Sequence, residues 1–180
     1  TNGTPRGDNP FAWNSKADPS IYALGVRDPQ SMAFNPVTGD LWIVENEPRG
    51  GDELNIIKPG KNYGFPLISY GRDNDGKLLN GGLTQKAGLE QPVYFWTPSV
   101  AFSGMTFYTG DKLPKWKNSI FAGGLSGMQL VRLELSAEGR VVGEEKLLRD
   151  LCRRIRDVRQ GPDGNLYVIT DHADGEILRI

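Results

Sequence analysis

The sequence of 180 residues has one cysteine, one histidine and almost no net charge. Cys152 alone excludes an internal disulfide framework. The net charge of −1, from 21 basic and 22 acidic residues, leaves no basic face for a polyanion, so we expect no nucleic-acid partner. No run of about 18 apolar residues occurs, and we therefore expect no membrane-spanning helix.

The single histidine also limits the catalytic chemistry. His172 lies in the polar turn TDHADGE, where an exposed side chain is expected rather than a general base. The sequence shows no Ser/His/Asp arrangement, CxxC pair or P-loop, and no GxGxxG in a strand–turn–helix context. Nucleophilic triads, redox dithiols and nucleotide-binding loops are therefore not supported.

Glycine and proline are abundant by contrast, with 23 and 12 residues placed in spaced turns. Three segments share two apolar strands separated by a polar turn: residues 34–57, 118–135 and 160–180. Each predicts a β-hairpin, and SAEGRVVGEEKLL after the second supplies an outer strand. Such units, repeated every ~40–50 residues, predict an all-β fold of the β-propeller type with about three blades.

Three blades do not close a ring, because known propellers have at least about four. We therefore expect residues 1–180 to be about half of a propeller, with a long insertion between residues 58 and 95, and the rest to come from a longer chain or from a partner. The segment KLLRDLCRRIRDVR is charged like a helix, but we interpret it as a strand that carries arginines into the next blade.

Two charged stretches are candidates for a site. Arg27 follows the predicted strand IYALGV, before a predicted turn at DPQ, where it could point into the central channel or pair with Asp28. Arg154 and Arg156 alternate within a predicted strand, so their guanidinium groups should share one face. That pair could receive a polycarboxylate or phosphate, or form salt bridges to Asp150 and Asp157.

A third candidate is ENEPRGGDE at residues 45–53, which crowds four carboxylates, one arginine and two glycines into nine positions. Gly50 and Gly51 allow unusual backbone angles, and the carbonyl groups of Glu47 and Pro48 are free to point outward. Oxygen ligands of this kind suit Ca²⁺. A solvated acidic turn is the alternative.

Together these segments resemble the soluble PQQ-dependent aldose sugar dehydrogenases, also called glucose/sorbosone dehydrogenases. The family pattern is HRNPQG, a GPRGGDEIN loop, GKNYGWP, and RIRDV followed by GPDG-LYVLTD. The similar segments here are GVRDPQSMAFNP, LWIVENEPRGGDELNIIKPGKNYGFP and RRIRDVRQGPDGNLYVITD. The resemblance implies a six-bladed β-propeller of roughly twice this length, of which residues 1–180 form the C-terminal half of a single domain.

The resemblance further implies oxidation of the C1 hydroxyl of aldoses to lactones, with a hydride passed to PQQ held by Ca²⁺. By matching motif, Arg27 would contact the quinone oxygens with Asp28 beside it. Arg154 and Arg156 would pair with PQQ carboxylates. These residues make the chain the expected cofactor-binding half of the enzyme.

The metal and substrate residues are implied in the same way. The main-chain oxygens of Glu47 and Pro48 would bind Ca²⁺, and Asp52 would brace their loop. Trp96, in PVYFWTPS, would line the sugar side of the site. A second, structural Ca²⁺ is expected near Ser69, Gly71 and Asp73.

Three departures from the family pattern concern the cofactor. Asp28 replaces a neutral Asn, and Ser126 stands where many relatives have a Lys on the PQQ-facing strand. The family's catalytic base is a His upstream of the Arg27 motif, and His172 does not match it. We therefore expect the 180 residues to be inactive alone.

Two other functions stay open: a sugar- or ligand-binding propeller without redox activity, and a Ca²⁺-dependent lactonase-type propeller. Asp28 and Ser126 favour the first, and Ca²⁺ polarising a lactone carbonyl would explain the second. The expected partners of the leading function are an aldose sugar and an external electron acceptor, with a homodimer as an expected assembly. A periplasmic or secreted location is expected, with a signal peptide upstream.

Overall fold

The computed structural model describes residues 3–180, which form three antiparallel sheets of short strands. No α-helix occurs in this range, and none of its helical segments could cross a bilayer. The helical turns are short 3-10 segments at Leu79–Gly82, Pro114–Trp116 and Arg149–Leu151. The all-β prediction is confirmed.

The first sheet has four strands in sequential order. They are β1 (Pro29–Phe34), β2 (Leu41–Glu45), β3 (Asp52–Ile57) and β4 (Tyr94–Trp96). The hairpin predicted at 34–57 is confirmed as β2 and β3, in which Glu45 pairs with Glu53 and Leu41 with Ile57.

The second sheet repeats this order. Its strands are β5 (Phe102–Phe107), β6 (Ile120–Gly124), β7 (Gln129–Leu135) and β8 (Val141–Leu147). The predicted outer strand is β8, which pairs along β7. The hairpin prediction at 118–135 is confirmed, because β6 and β7 are antiparallel neighbours.

The third sheet has three strands, ordered β11–β10–β9. They are β9 (Ile155–Gln160), β10 (Leu166–Thr170) and β11 (Ile177–Arg179). The hairpin at 160–180 is confirmed by the pairing of β10 with β11.

The first strands of the three sheets lie side by side, as the innermost strands of propeller blades do. The Met105 amide in β5 donates to Ser31 Oγ in β1 at 3.0 Å, and Arg159 in β9 donates to the Met105 carbonyl at 3.0 Å. The approach is close: a Cβ at Gly104 would lie 2.7 Å from the Asp157 Cα. Only glycine fits there.

Apolar faces fill the space between blades. The first and second sheets bury a cluster that includes Trp42, Leu54, Phe102 and Met105. The second and third sheets bury another, with Phe121, Leu130, Ile155, Val158 and Val168. Alternating strand residues supply both clusters, because neighbouring side chains in a strand point to opposite faces.

The outer flank of the first sheet is also apolar. Residues including Tyr22, Val26, Met32, Leu41 and Ile43 line a groove of about 430 Å³ there. Met32 and Phe34 are more than two-thirds exposed on this flank. In a closed propeller such a flank contacts a further blade.

Two local predictions are wrong. IYALGV before Arg27 is not a strand: Leu24 forms a single bridge to Asn62, and Gly25 has a positive φ of 74°. The predicted turn at DPQ is also absent, since Pro29 and Gln30 already belong to β1. The Asn46 amide donates to the Asp28 carbonyl at 3.1 Å, which extends the ladder by one residue.

KLLRDLCRRIRDVR does not form one continuous strand either. β8 ends at Leu147 and β9 begins at Ile155. Between them Leu148 and Cys152 adopt positive φ angles of 60° and 49°, on either side of a 3-10 turn. The backbone reverses here because the chain passes from the outer strand of one blade to the inner strand of the next.

Candidate functional site

Most of the predicted site residues lie at one end of the three sheets, which we call the upper end. At this end β1, β5 and β9 begin, and β2, β6 and β10 finish. It comprises residues 27–28, 46–51, 97–101, 125–128, 152–156 and 171–176. Asn46 links two blades there, because its side chain exchanges hydrogen bonds with the Phe102 carbonyl and amide at 3.0 and 2.7 Å.

Arg27 is held at the upper end by the first blade. Its amide donates to Glu45 Oε2 at 2.6 Å, and its Nη1 donates to the Asn46 carbonyl at 2.6 Å. The guanidinium carbon lies 5.8 Å from the centre of the Phe65 ring, within cation–π range. Its ionic partner is Glu47, with Nε 3.7 Å from Oε2, rather than the predicted Asp28.

The Glu47 side chain is buried, with 4% of its surface exposed. Its Oε2 accepts no hydrogen bond from the residues that the structure describes. Burial raises the pKa of Glu47 to about 7, against the lowering effect of the Arg27 charge. ENEPRGGDE is therefore not a fully solvated acidic turn, which was the alternative interpretation of this segment.

Asp52 holds the loop together from within. It is fully buried, and its Oδ1 accepts the Glu47 amide at 3.0 Å. Its Oδ2 accepts from Ser99 Oγ at 2.8 Å and from the Val100 and Ala101 amides at 2.7 and 2.9 Å. These contacts hold the loop at 46–51 against the turn at 97–101. They also use both carboxylate oxygens of Asp52, which a direct bond to a metal ion would need.

Two more buried carboxyl groups lie behind this loop. The Asn55 side-chain amide donates to Glu45 Oε1 at 2.8 Å and to Glu53 Oε2 at 3.0 Å. Burial raises the pKa of Glu45, and it raises that of Glu53 to about 8, with the charges of Glu45 and Glu47 adding to the effect at Glu53. Glu53 is therefore protonated in the fold at neutral pH.

The Glu53 shift predicts that stability falls as the pH rises from about 4.5 to about 8. The pKa of Glu53 in the fold, about 8, exceeds its ordinary value of 4.5. This contribution is therefore fully present below the ordinary value and is lost as pH rises through about 8. At pH ~9 the wild type should therefore have lost about 2–4 kcal/mol of its free energy of unfolding through Glu53, and Glu53→Gln should not show this loss. Urea unfolding across the pH range measures both profiles.

The exposed Glu138→Gln variant is the control for that series, because Glu138 lies on the surface beside Ser136. It should keep the wild-type pH profile. A Glu53→Gln profile that is parallel to the wild type would show that Glu53 is ionised in the fold.

Arg154 and Arg156 share one face, as predicted, and they converge on a single carboxylate. Arg154 Nε and Arg156 Nη2 each donate to Asp171 Oδ2 at 2.8 Å. The hydrogen bond from Arg154 is the largest cause of a lowered pKa at Asp171. The salt-bridge alternative is thus realised with Asp171, instead of with Asp150 or Asp157.

Both guanidinium groups keep donors for a ligand. The side chains of Arg154 and Arg156 are 49% and 48% exposed. Arg156 also borders a groove of about 340 Å³ along β1, β5 and β9, together with Gln30 and Ser103. A guanidinium has five N–H donors, so one bond to Asp171 leaves others for a second carboxylate.

Other predicted residues at the upper end are exposed. Asp28 accepts a hydrogen bond from Gln30 Nε2 at 2.7 Å. Ser126 donates to the Ser99 carbonyl at 3.1 Å, beside the turn that Asp52 holds. His172 is exposed, as predicted, and pairs with Asp174 in the turn between β10 and β11.

Trp96 does not fit its predicted place beside a sugar. Only 6% of it is exposed, and its ring packs against Phe102 and Tyr94 in the core between blades. Its indole N–H donates to Glu144 Oε2 at 3.2 Å. The neighbouring Phe95 points to the opposite face of β4, is partly exposed and stacks on Tyr70 with ring centres 4.0 Å apart.

At the predicted second metal site, the side-chain oxygens of Asp73 and Ser69 accept hydrogen bonds from nearby backbone amides. Asp73 Oδ1 accepts the Asp75 and Lys77 amides at 2.9 Å each, within a turn. Ser69 Oγ accepts the Gly71 amide at 2.9 Å. Within residues 3–180, no three or more Asp, Glu, His or Cys side chains are grouped to hold a metal ion. Sites made from main-chain oxygens, as at Glu47 and Pro48, stay predictions.

Sequence reasoning overlooked two side chains. Asp171 follows β10, and its amide donates to the Arg154 carbonyl at 2.8 Å. Pairing RRIRDV with LYVITD in register would have found it. The Glu47 side chain was also overlooked, although the quoted family pattern GPRGGDEIN has glycine at this position.

The fold and the upper end define a class: an arc of propeller blades that presents Arg27, Arg154, Arg156 and a carboxylate-braced loop at one end. The chain belongs to the glucose/sorbosone dehydrogenase family, whose model matches residues 1–179. It is similar to the aldose sugar dehydrogenase YliI of Escherichia coli (strain K12), with 45% identity over 174 residues. That match covers 96% of this chain and 47% of the relative.

Solved structures of sugar dehydrogenases are also similar to this chain. A crystal structure of a glucose dehydrogenase superposes with a TM-score of 0.95 at 45% identity, covering 99% of this chain and 51% of the other. The PQQ-bound aldose sugar dehydrogenase of Streptomyces coelicolor superposes with a TM-score of 0.72 at 29% identity, covering 98% and 48%. The chain therefore spans about half the length of the relatives that it matches.

Proposed function

We propose that the full-length protein oxidises aldose sugars at C1 to lactones with PQQ and Ca²⁺, and that residues 1–180 supply its cofactor-binding half. The observation that carries the proposal is that Arg27, on the first blade, lies at the same end of the arc as Arg154 and Arg156, on the third. The family and the PQQ-bound relative support it. When bound, PQQ would supply the acceptor of the hydride.

The residues present fit an anionic quinone. PQQ carries three carboxylates, and guanidinium groups are the side chains best suited to bind carboxylates in a planar, bidentate way. Arg154 and Arg156 would hold carboxylates while Asp171 keeps the two side chains together. Arg27, fixed by the first blade, would contact the quinone oxygens, with Asp28 beside it and Ser126 across the upper end.

The loop at 46–51 would hold the cation. Asp52 fixes the Glu47 amide, and Gly50 and Gly51 adopt positive φ angles of 114° and 88°. This loop would present the main-chain oxygens of Glu47 and Pro48 to Ca²⁺, a cation that prefers oxygen ligands. The contribution of Asp52 is to position these oxygens.

The domain proposal is that these three blades are the C-terminal half of one six-bladed propeller. The apolar flank of the first sheet supports it, since a surface with exposed Met32 and Phe34 needs a covering blade. A signal peptide in the full-length protein, with a periplasmic or secreted location, and a homodimeric assembly belong to the same proposal.

The test uses the full-length protein reconstituted with PQQ and Ca²⁺. We expect reduction of an electron-accepting dye when an aldose is added, and none when either PQQ or Ca²⁺ is left out. The 180-residue chain alone should reduce no dye, because the family's catalytic histidine lies outside it.

Other outcomes would favour the alternatives. Saturable PQQ or sugar binding without dye reduction, for any aldose, would indicate a binding propeller that lacks redox activity. Hydrolysis of lactones with Ca²⁺ but without PQQ, followed in a pH-stat, would indicate a lactonase. Either result would overturn the dehydrogenase proposal.

A further inference from the structure

We propose that the buried Glu47 carboxylate is a specificity-determining counter-charge to Arg27, which lowers the affinity of the upper end for anionic ligands. The inference rests on the proposed function, in which Arg27 contacts the anionic cofactor. It goes beyond that function because it concerns the side chain of Glu47 rather than its main-chain oxygen.

The geometry holds the Glu47 carboxyl group in place beside Arg27. Its amide donates to Asp52 Oδ1, which ties its backbone to the buried carboxylate that braces the loop. Its Oε2 lies 3.7 Å from Arg27 Nε, which is beyond hydrogen-bond length but well within the range of a strong ionic interaction. The surroundings leave it little room, since a Cβ on Gly71 would lie 3.1 Å from the same oxygen.

Arg27 is oriented by other groups. Asn46 and Glu45 accept its hydrogen bonds, and the Phe65 ring lies beside its guanidinium. Removing the Glu47 charge should therefore leave Arg27 in place. It should, however, increase the positive potential that an approaching carboxylate or quinone oxygen meets.

The sequence also indicates a lower affinity for anions. Where the family pattern GPRGGDEIN has glycine, this chain has a carboxylate next to the arginine. Because two charges of opposite sign in a partly buried place compensate each other, an anionic ligand must compete with Glu47 for Arg27. Only a ligand with further carboxylates for Arg154 and Arg156 would then bind well, which favours a polycarboxylate over a simple anion.

The experiment measures the dissociation constant of PQQ with saturating Ca²⁺ for the full-length protein, by absorbance titration at about pH 8.5. We expect Glu47→Gln, which keeps the shape and removes the charge, to tighten binding about five- to tenfold. The tightening should vanish when Arg27→Gln is also present, because the effect acts through Arg27. Glu90→Gln is the matched control, a glutamate paired with Lys61 at 2.9 Å, and should leave affinity unchanged.

Each other result overturns the inference. Weaker binding by Glu47→Gln would make Glu47 a positioning residue or a cation ligand, and unchanged binding would make it a bystander. Tightening that persists with Arg27→Gln would show that Glu47 acts on the ligand directly. If the wild type binds no PQQ, the proposed function fails, and the coupling between Glu47 and Arg27 in the cofactor-free protein then decides the inference.

A cofactor-free measurement separates the two failures. Urea unfolding of the wild type, both single variants and the double variant gives the coupling between Glu47 and Arg27 in stability. A favourable coupling shows that the counter-charge exists even if PQQ is the wrong ligand. Zero coupling overturns the pair itself.

Discussion

Replacing Asp52 by Ala is expected to lower the free energy of unfolding by about 3–5 kcal/mol. One buried carboxylate accepts four hydrogen bonds, from the Glu47, Val100 and Ala101 amides and from Ser99 Oγ. The variant leaves these donors buried without their acceptor. Because Asp52 joins the loop at 46–51 to the turn at 97–101, its loss should loosen both segments.

The matched control is Asp40→Ala, in which an exposed aspartate loses a hydrogen bond from Thr38 Oγ1 of 2.6 Å. It should cost less than about 1 kcal/mol, since exposed polar groups can bond to water instead. Urea unfolding measures both values. A loss below about 1 kcal/mol for Asp52→Ala would contradict its role as the brace, and amide exchange at Glu47 and Val100 would show whether the loop has loosened.

Much of the fold could be predicted from strand chemistry. The three hairpins combine β-branched and aromatic alternation with Gly and Asp turns, and these local signals do not depend on distant contacts. The blades follow because such hairpins must bury their apolar faces against one another. The wrong predictions concern the segments that connect one blade to the next or lead into the first blade. Ala23 and Val26 of IYALGV pack against the buried cluster of Ile43, Ile57 and Tyr63, whereas the backbone of this segment bonds to the loop at 61–65.

The chain passage from β8 to β9 illustrates a second limit. Leu148 and Cys152 adopt left-handed backbone conformations, which non-glycine residues seldom do. Local propensity gives no sign of this, because the reversal is imposed by the two blades that it connects. The positions of β8 and β9 themselves were accessible from their apolar alternation.

The site residues show the same difference between features set by local sequence and features set by tertiary packing. The shared face of Arg154 and Arg156 follows from strand periodicity, and it was predictable. Their capture by Asp171 depends on hairpin register, and the burial of Glu47 depends on packing against the loop at 69–71. Trp96 shows the opposite error: an aromatic residue in a conspicuous motif was assigned to a ligand, whereas its ring fills the core between blades.

The arginine pair carries the second large effect. Arg154 and Arg156 already hold one carboxylate oxygen, which shows that their geometry suits a carboxylate. Replacing both by Gln should weaken PQQ binding at least about 100-fold, because two charge-assisted contacts to the ligand would be lost. Folding should be little affected, since Asp171 is about one-third exposed and can be hydrated.

The control for this pair is a double variant of two exposed arginines, Arg6→Gln with Arg140→Gln. Each of these also pairs with a carboxylate, Asp8 and Glu138 respectively, away from the upper end. It removes the same total charge and should leave PQQ affinity within about twofold, since distant exposed charges are largely screened at physiological salt.

Equilibrium titration of PQQ, with Ca²⁺, into the full-length protein shows most directly whether the upper end is the cofactor site. We expect saturable binding by the wild type and by the Arg6/Arg140 double variant, and a loss of at least about 100-fold for the Arg154/Arg156 double variant. Equal affinity in all three proteins, or no saturable binding by the wild type, would contradict this expectation.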